Sequence, residues 1–278
     1  MKDRTLISII IPCYNDAQFI EQSVNSALNQ TYPHKEVIVV DDGSNRETKS
    51  VLKYLEPKIT KLITQENKGQ STARNVGIKE AKGEYILVLD SDDFFEPTFC
   101  EKAIAVFFND IEVKIVSCFG NLVFKNGKKV LYKPKGGYLQ DFLINNMVFG
   151  SVMFKKNDWN SVLGYDESMK KGFEDWEFYI RLLKNEGKAL VLREPLFNYR
   201  KRINSTTAKA NDYKYKLLEY IYLKHKDLYI ANFESTVINL LNIAKLNRQN
   251  EIKRLNSINY KAGNFLLKPI RYFKKMFS

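Results

Sequence analysis

Cysteine and histidine are scarce: the 278 residues hold three of the first and two of the second. Cys13, Cys100 and Cys118 are widely spaced, with no Cys-x-x-Cys pair, so they make neither a zinc site nor a disulfide framework; this usage fits a reducing compartment. His34 and His225 lie far apart in sequence, which argues against a histidine-based triad or metal centre. No apolar run approaches the roughly 18–20 residues needed to span a bilayer. The run Leu6–Ile11 is too short for a signal-peptide core and leads into Pro-Cys-Tyr-Asn rather than a small-residue cleavage site. The expectation is a cytoplasmic protein. Neither GxGxxG nor GxxxxGK[ST] occurs, and both the dinucleotide fold and the P-loop need such glycine amides at the phosphate.

What is present is a globular composition, 44% hydrophobic and 13% aromatic, long enough for one large domain or a domain with an appendage. The net charge of +12 is unevenly placed. Residues 200–278 hold 17 Lys and Arg against 5 Asp and Glu, whereas residues 1–199 hold 27 of each. A neutral body with a basic tail points to an anionic surface as a partner.

The first hundred residues alternate strand and helix. Leu6–Ile11, Glu36–Val40, Lys61–Thr64 and Tyr85–Leu89 are short apolar runs, and Phe19–Leu28, Thr48–Leu55 and Ser71–Ala81 carry helical periodicity. This predicts β-α-β-α-β-α-β, a doubly wound parallel sheet. Two strands end in acids: Asp41-Asp42 after the second, and Asp90, Asp92 and Asp93 after the fourth. Taken alone, such a cluster equally reads as strand-ending and capping residues. Parallel strands, however, bring their carboxyl ends to one rim, so all five carboxylates are expected to face a common crevice. Clustered oxygen ligands suit Mg²⁺ or Mn²⁺ bridging to phosphate. Arg74 would add a positive charge on the same rim, fitting a diphosphate, and Asp41 would suit a base or ribose.

Four motifs stand in register: Ser8-Ile9-Ile10-Ile11-Pro12-Cys13-Tyr14-Asn15, Asp41-Asp42-Gly43-Ser44, Asn67-Lys68-Gly69 with Ala73-Arg74-Asn75, and Asp90-Ser91-Asp92-Asp93. In residues, order and spacing the chain resembles the family 2 glycosyltransferases. The resemblance implies an α/β GT-A fold (nucleotide-diphospho-sugar transferase, Rossmann-like), a nucleotide-sugar donor, most often UDP-linked, a divalent metal and inversion at the anomeric carbon. It places Pro12, Tyr14, Asn15, Asp41, Gly43, Ser44, Arg74, Asp90 and Ser91 at the nucleotide-sugar, and Asp92 with Asp93 at the metal. One departure is visible: similar chains usually carry an Asp two residues after Asp-Asp-Gly-Ser, where this one has Asn45-Arg46-Glu47.

Beyond Pro97 a helix is expected over Glu101–Asn109, a strand over Val113–Cys118, a hairpin over Asn121–Lys133 and a last strand over Leu190–Leu196. Lys133–Gly137 reads as a loop, either solvated or near the acceptor. Phe173, Trp176, Ile180 and Leu183 recur at helical spacing, which puts Glu174 and Asp175 at a helix start on the opposite side. Unaided, they read as dipole-favoured first-turn acids. The resemblance makes Asp175 the catalytic base, with Glu174 orienting base or acceptor. Similar proteins also carry a basic, Ser-ended loop where this chain has Tyr199–Ser205, making Arg200 and Arg202 candidates for the diphosphate.

Residues 211–278 are mostly helical in pattern. Leu266, Ile270, Phe273 and Phe277 form a stripe with Lys268, Arg271, Lys274 and Lys275 off it, and Pro269 is expected to open the last helix. The pattern fits either a helix packed on the body or an interfacial anchor on anionic lipid, peripheral on the cytoplasmic membrane face. The organisation read here is a catalytic domain over 1–205 (nucleotide-binding half 1–100, acceptor half 101–205) and a helical extension over 206–278. The function is sugar transfer to a glycan or lipid-linked acceptor in polysaccharide synthesis, with no nucleic-acid partner. Two alternatives remain: a nucleotidyltransferase, which would want a basic, Gly-rich phosphate loop early in the chain, and a binding protein for nucleic acid or another anionic surface, which leaves the acidic crevice without purpose.

Overall fold

The computed structural model describes residues 5–202 and 210–276, with side chains through 267. Its first compact unit is Met1–Leu228 and its second Tyr229–Ser278.

The continuous β-branched run at the start forms β1 (Ile7–Cys13), buried at every position, as the central strand of a parallel sheet must be. It pairs in parallel with β2 (Lys35–Asp42), from Ile7 opposite Lys35 to Cys13 opposite Asp41. On its other side it pairs in parallel with β4 (Tyr85–Val88). β3 (Lys61–Gln65) extends the sheet beyond β2, and α1 (Ile20–Leu28), α2 (Arg46–Leu55) and α3 (Gln70–Glu80) make the crossovers. The order β3-β2-β1-β4 is the doubly wound half expected from the sequence. Its direction of winding reverses between β1 and β4, and ligands bind beyond the carboxyl ends of strands at such a switch point. The β1 strand runs through Pro12 and Cys13, two residues farther than its apolar run suggested.

α3 lies close against the sheet. A Cβ on Gly77 would stand 2.5 Å from Ile10 Cγ2, so only glycine permits this approach. The same packing fixes Arg74, one turn earlier, under the crevice.

The second half departs from pure parallel winding. After β5 (Phe94–Phe95) and α4 (Phe99–Asn109) come β6 (Val113–Val123), β7 (Lys129–Tyr132), β8 (Gly137–Tyr138), α5 (Leu139–Phe142), β9 (Met153–Lys155), α6 (Lys156–Ser161), α7 (Glu174–Leu183) and β10 (Lys188–Arg200). β9 is antiparallel to both β4 and β6, giving the path β3-β2-β1-β4-β9-β6-β10-β5. β6 and β7 form the expected hairpin, Gly120 opposite Tyr132, and β6 runs five residues past the expected end at Cys118. An aromatic layer of Phe95, Phe99, Phe149 and Phe197, ring centroids 4.2–4.9 Å apart along the chain of contacts, joins β5, α4 and β10.

α8 (Lys214–Lys224) belongs to the first unit, burying Leu217 and Ile221. α9 (Lys226–Ala231) follows, then α10 (Phe233–Asn256) and α11 (Ile258–Met276). One expectation is corrected here. Pro269 does not open the last helix; α11 begins eleven residues earlier and continues through it. Proline removes one backbone donor and costs a helix interior about 3 kcal/mol. In an exposed helix water can satisfy the carbonyl left without a partner.

Candidate active site

The rim at the carboxyl ends of β1 and β2 is stitched by backbone donors. Asp41 Oδ1 accepts from the Ser44 amide at 2.9 Å. Ser44 Oγ accepts from the Asn15 amide at 3.1 Å, and Asn15 Oδ1 from the Asn45 amide at 2.7 Å. Asn15 has φ +55° and Gly43 φ +74°; a Cβ on Gly43 would lie 2.7 Å from the Asn67 amide nitrogen, so this turn requires glycine. Pro12 is buried in the strand, while Tyr14 is 50% exposed beside the turn. The departure at Asn45-Arg46-Glu47 has a local role: Asn45 caps α2, its Oδ1 accepting from the Thr48 amide at 2.9 Å.

Not every acid on this rim faces the crevice. Asp42 accepts from the Lys68 and Gly69 amides at 2.8 and 2.9 Å and from Gln65 Nε2 at 2.7 Å. It anchors the Asn67-Lys68-Gly69 turn. Asp93 is buried and accepts from the Arg200 amide at 2.8 Å, tying the acidic turn to the end of β10. Three of the five carboxylates, Asp41, Asp42 and Asp93, therefore accept from backbone amides, for which a carboxylate at a strand end is the natural acceptor.

Asp90 and Asp92 remain, joined by Asp16. Asp92 Oδ2 lies 2.6 Å from Arg202 Nη2, and Asp16 Oδ1 lies 2.7 Å from Arg202 Nη1. Ser91 Oγ donates to Asp16 Oδ2 at 2.5 Å. The Arg200 guanidinium donates to the Asp92 carbonyl and to Gln22 Oε1 and stacks over Phe19 and Phe94. Burial raises the Asp92 carboxyl, Arg202 pulls it back, and Asp90 and Asp16 push it up again, to about 6. Burial with Asp92 and Asp90 also holds Asp93 well above the carboxylate range. The turn is thus short of positive charge even with Arg202 in place. A cleft of about 160 Å³ opens beside it, lined by Asn15, Asp16, Gln18, Asn45, Glu47 and Arg202 among others. Ile203, Asn204 and Ser205 of the basic loop lie outside the described residues.

Arg74 is not free on the rim. It is 2% exposed, with Nη2 2.6 Å from Asp90 Oδ1 and Nη1 2.6 Å from Glu174 Oε1, and its guanidinium lies 5.3 Å from the Tyr165 ring centroid. It bridges the strand acid to the helix acid. Glu174 and Asp175 lie at the start of α7, as expected, beside Arg74 and Asp90. Phe173 adopts φ +63° as the residue before the helix. Glu174 also accepts from Gln70 Nε2 at 2.5 Å, and its Oε2 is buried without a partner. Burial raises the Glu174 carboxyl, against Arg74 and with Asp175. Asp175 accepts from Asn146 Nδ2 at 2.9 Å through Oδ2 and from the Trp176 amide at 2.8 Å through Oδ1. Burial raises its carboxyl as well.

Between these acids the chain leaves room. A Cβ on Gly150 would lie 3.3 Å from Asp175 Oδ2 and 3.6 Å from Asp90 Oδ2, so the glycine keeps the space between the two carboxylates open. Asp16, Gln70, Asn146 and Gly150 were not singled out from sequence. A single Asn or Gly in an irregular segment carries no periodic signal, and Asp16 reads as an ordinary turn residue.

The family model for glycosyl transferase family 2 matches residues 8–161, more than half of the chain. The chain belongs to that family. Chondroitin synthase of Escherichia coli is 33% identical over 186 residues, covering 66% of this chain and 27% of that one. An uncharacterized glycosyltransferase of Rickettsia bellii is 30% identical over 253 residues, covering 84% and 34%. The chain therefore spans about a third or less of these two relatives. The putative teichuronic acid biosynthesis glycosyltransferase TuaG of Bacillus subtilis is 29% identical over 212 residues, covering 74% of this chain and 82% of TuaG. Among solved structures, S. aureus TarS 1–349 in complex with UDP-GlcNAc is similar with a TM-score of 0.61 at 22% identity, covering 73% of this chain and 60% of that one. Its UDP complex gives 0.58, also at 22% identity, covering 71% and 61%. The fold of this family 2 glycosyltransferase is GT-A, as the motifs implied. Membership favours a glycosyltransferase over the nucleotidyltransferase and the non-enzymatic binding protein.

Proposed function

We propose that this glycosyltransferase moves a sugar from a nucleoside-diphosphate donor, a UDP-sugar, to a hydroxyl of a glycan or lipid-linked acceptor, with inversion, in polysaccharide assembly. The observation that carries the reading is the pairing across Gly150: Asp90, on the turn that also holds Asp92, faces Asp175 on α7, and Arg74 ties the two elements together. TarS, solved with UDP and with UDP-GlcNAc, and the names of chondroitin synthase and TuaG support the donor class and the polysaccharide setting.

In this reading the Asp41–Ser44 turn and Tyr14 receive the base and ribose, with Pro12, Asn15 and Gly43 shaping that rim. Asp90 and Ser91 border the ribose and sugar. The acceptor hydroxyl sits against Asp175. As its oxygen bonds to the anomeric carbon, Asp175 takes its proton. The bond from that carbon to the diphosphate oxygen breaks on the opposite face, and the electron pair leaves with the diphosphate. One displacement inverts the centre, by the same geometry as in inverting glycosidases, and such proton transfer is worth roughly 10²–10⁴-fold. Asn146 orients the base, and Glu174 with Arg74 holds the start of α7.

Asp92 fits a divalent cation. Its carboxylate is a hard oxygen donor, 16% exposed, on a turn whose acids are pushed upward by one another. Among the described residues no preformed cluster of three or more metal-ligating side chains exists, but Mg²⁺ and Mn²⁺ commonly take only one or two carboxylates and complete their shell with phosphate oxygens and water. Bound there, the ion supplies Lewis-acid stabilisation of the leaving diphosphate. Asp93, expected beside Asp92 as a ligand, is assigned instead to bracing the turn on the Arg200 amide. Arg200 and Arg202 are the proposed diphosphate contacts.

The test is a donor-hydrolysis screen across nucleotide-sugars with Mn²⁺ and with Mg²⁺. Turnover of a UDP-sugar is expected. A protein that hydrolyses none of them and binds no UDP would overturn the reading.

A further inference from the structure

The proposed function leaves the second unit unused, and it has a chemistry of its own. From Ile252 to Ser278 the sequence holds seven Lys and Arg and no Asp or Glu. In the helix α11, Ile258, Ala262, Phe265, Pro269, Phe273 and Met276 recur at the three-and-four spacing of one helical stripe, while Lys261, Lys268 and Lys275 recur every seven residues along its edge. Where side chains are described the apolar residues are in water: Ile258 is 85% exposed, Phe265 78% and Leu266 71%. Exposing bulky apolar side chains along a helix is costly unless something covers them.

We infer that α11 is a membrane-surface helix, lying in the interface of an anionic bilayer with the Phe265–Leu266 side in the acyl boundary and its lysines at the lipid headgroups. The charge decides between occupants. A second copy of the helix would bring two sets of lysines together without an acid to meet them. A nucleic acid would satisfy the lysines but has no use for Phe265 and Leu266 against its phosphates. An anionic lipid surface answers both at once: basic side chains gain from the negative surface potential, and the apolar side gains from burial. Among the described residues no helix is long and apolar enough to cross a membrane, so the contact is with the surface. A lipid-linked acceptor would be met there, though the inference does not depend on the acceptor.

The 278-residue protein is floated with phosphatidylcholine vesicles and with vesicles carrying about 30% phosphatidylglycerol, at low and high salt. Binding to the anionic vesicles alone, weakened by salt, is expected. The Phe265→Glu/Leu266→Glu variant should lose at least about tenfold in partitioning, since it removes apolar burial and adds like charge to the surface. Its circular dichroism and UDP binding should match the parent, which separates a docking defect from misfolding and from failure of the catalytic reading. Equal binding to neutral vesicles, no binding to either, or undiminished binding by the variant would overturn the inference. So would a concentration-dependent dimer that the variant abolishes, because the apolar side would then be covered by a second copy.

Discussion

At the scale of single residues the site turns on how Arg74, Asp90, Glu174 and Asp175 share their partners. One guanidinium, Arg74, serves both Asp90 and Glu174, so Asp175 is left with only neutral donors, Asn146 and the Trp176 amide. A carboxylate held by neutral groups in a buried place keeps basicity that an ion pair would remove, and that is what a general base requires. Asp175→Asn is isosteric and keeps the hydrogen-bonding surroundings. It should lower kcat by roughly 10²–10⁴-fold while UDP affinity, measured by titration calorimetry, stays within about twofold, since the proposed reaction sets Asp175 against the acceptor and not the nucleotide. The pH profile follows from the same environment. Burial raises the Asp175 carboxyl above its ordinary value of 3.8, so protonation disables the base at a higher pH than for a free carboxylate. The acid limb of kcat/KM should fall above pH 3.8, and an acid limb at or below that value would remove Asp175 from the role.

Among elements, the contact between α7 and α8 is the least expected from sequence. Glu177, 0% exposed, accepts from Arg181 Nε at 2.8 Å and Nη2 at 2.7 Å. It also pairs with Lys224 Nζ at 2.9 Å and lies 3.0 Å from His225 Nε2. Asp166 receives Tyr220 Oη at 2.8 Å and Lys224 Nζ at 2.5 Å. The helix that carries Asp175 is thus clamped, one half-turn later, by the helix at the start of the extension. Donors from His225, Arg181 and Lys224 overcome burial and hold the Glu177 carboxyl down at about 2, against 4.5 ordinarily. A lowered acid stabilises the fold above its unfolded pKa, and the contribution is lost as pH falls through the folded value. Glu177→Gln should cost roughly 3 kcal/mol at pH 7, at about 1.4 kcal/mol for each tenfold change in proton affinity, read from urea melts. The gap between parent and variant should close from pH 4.5 toward pH 2. A gap independent of pH would mean that packing, rather than charge, holds the two helices.

For the whole molecule, legibility follows the type of signal. The four parallel strands were readable because each is a short β-branched run with no competing helical period, and four motifs in register pointed to the family. β5, β8 and β9, two or three residues long, carry no pattern at that length. The left-handed backbone at Phe173, just before α7, was hidden because periodicity does not register a positive φ. The commitment of Asp42 and Asp93 to backbone amides was hidden too, since sequence places an acid on a rim without saying which donor it meets. The same limit bears on the boundary: the basic composition begins near Arg200, but the first compact unit runs to Leu228 and includes α8. A chain cut after Leu228 should therefore fold and bind UDP. One cut after Ser205 should melt earlier or aggregate, because it strips Lys224 and His225 from Glu177 and uncovers the pocket of Leu217 and Ile221. Equal melting temperatures for the two would contradict this.

In the proposed reaction Asp92, on the turn after β4, holds a cation against the donor diphosphate. Calorimetric titration of UDP into the 278-residue protein, with and without Mn²⁺, and into the Asp92→Asn variant, decides this. Metal-dependent binding is expected in the parent, falling at least about tenfold in the variant, on the order of 1.4 kcal/mol. Binding that is the same in all three titrations would contradict it.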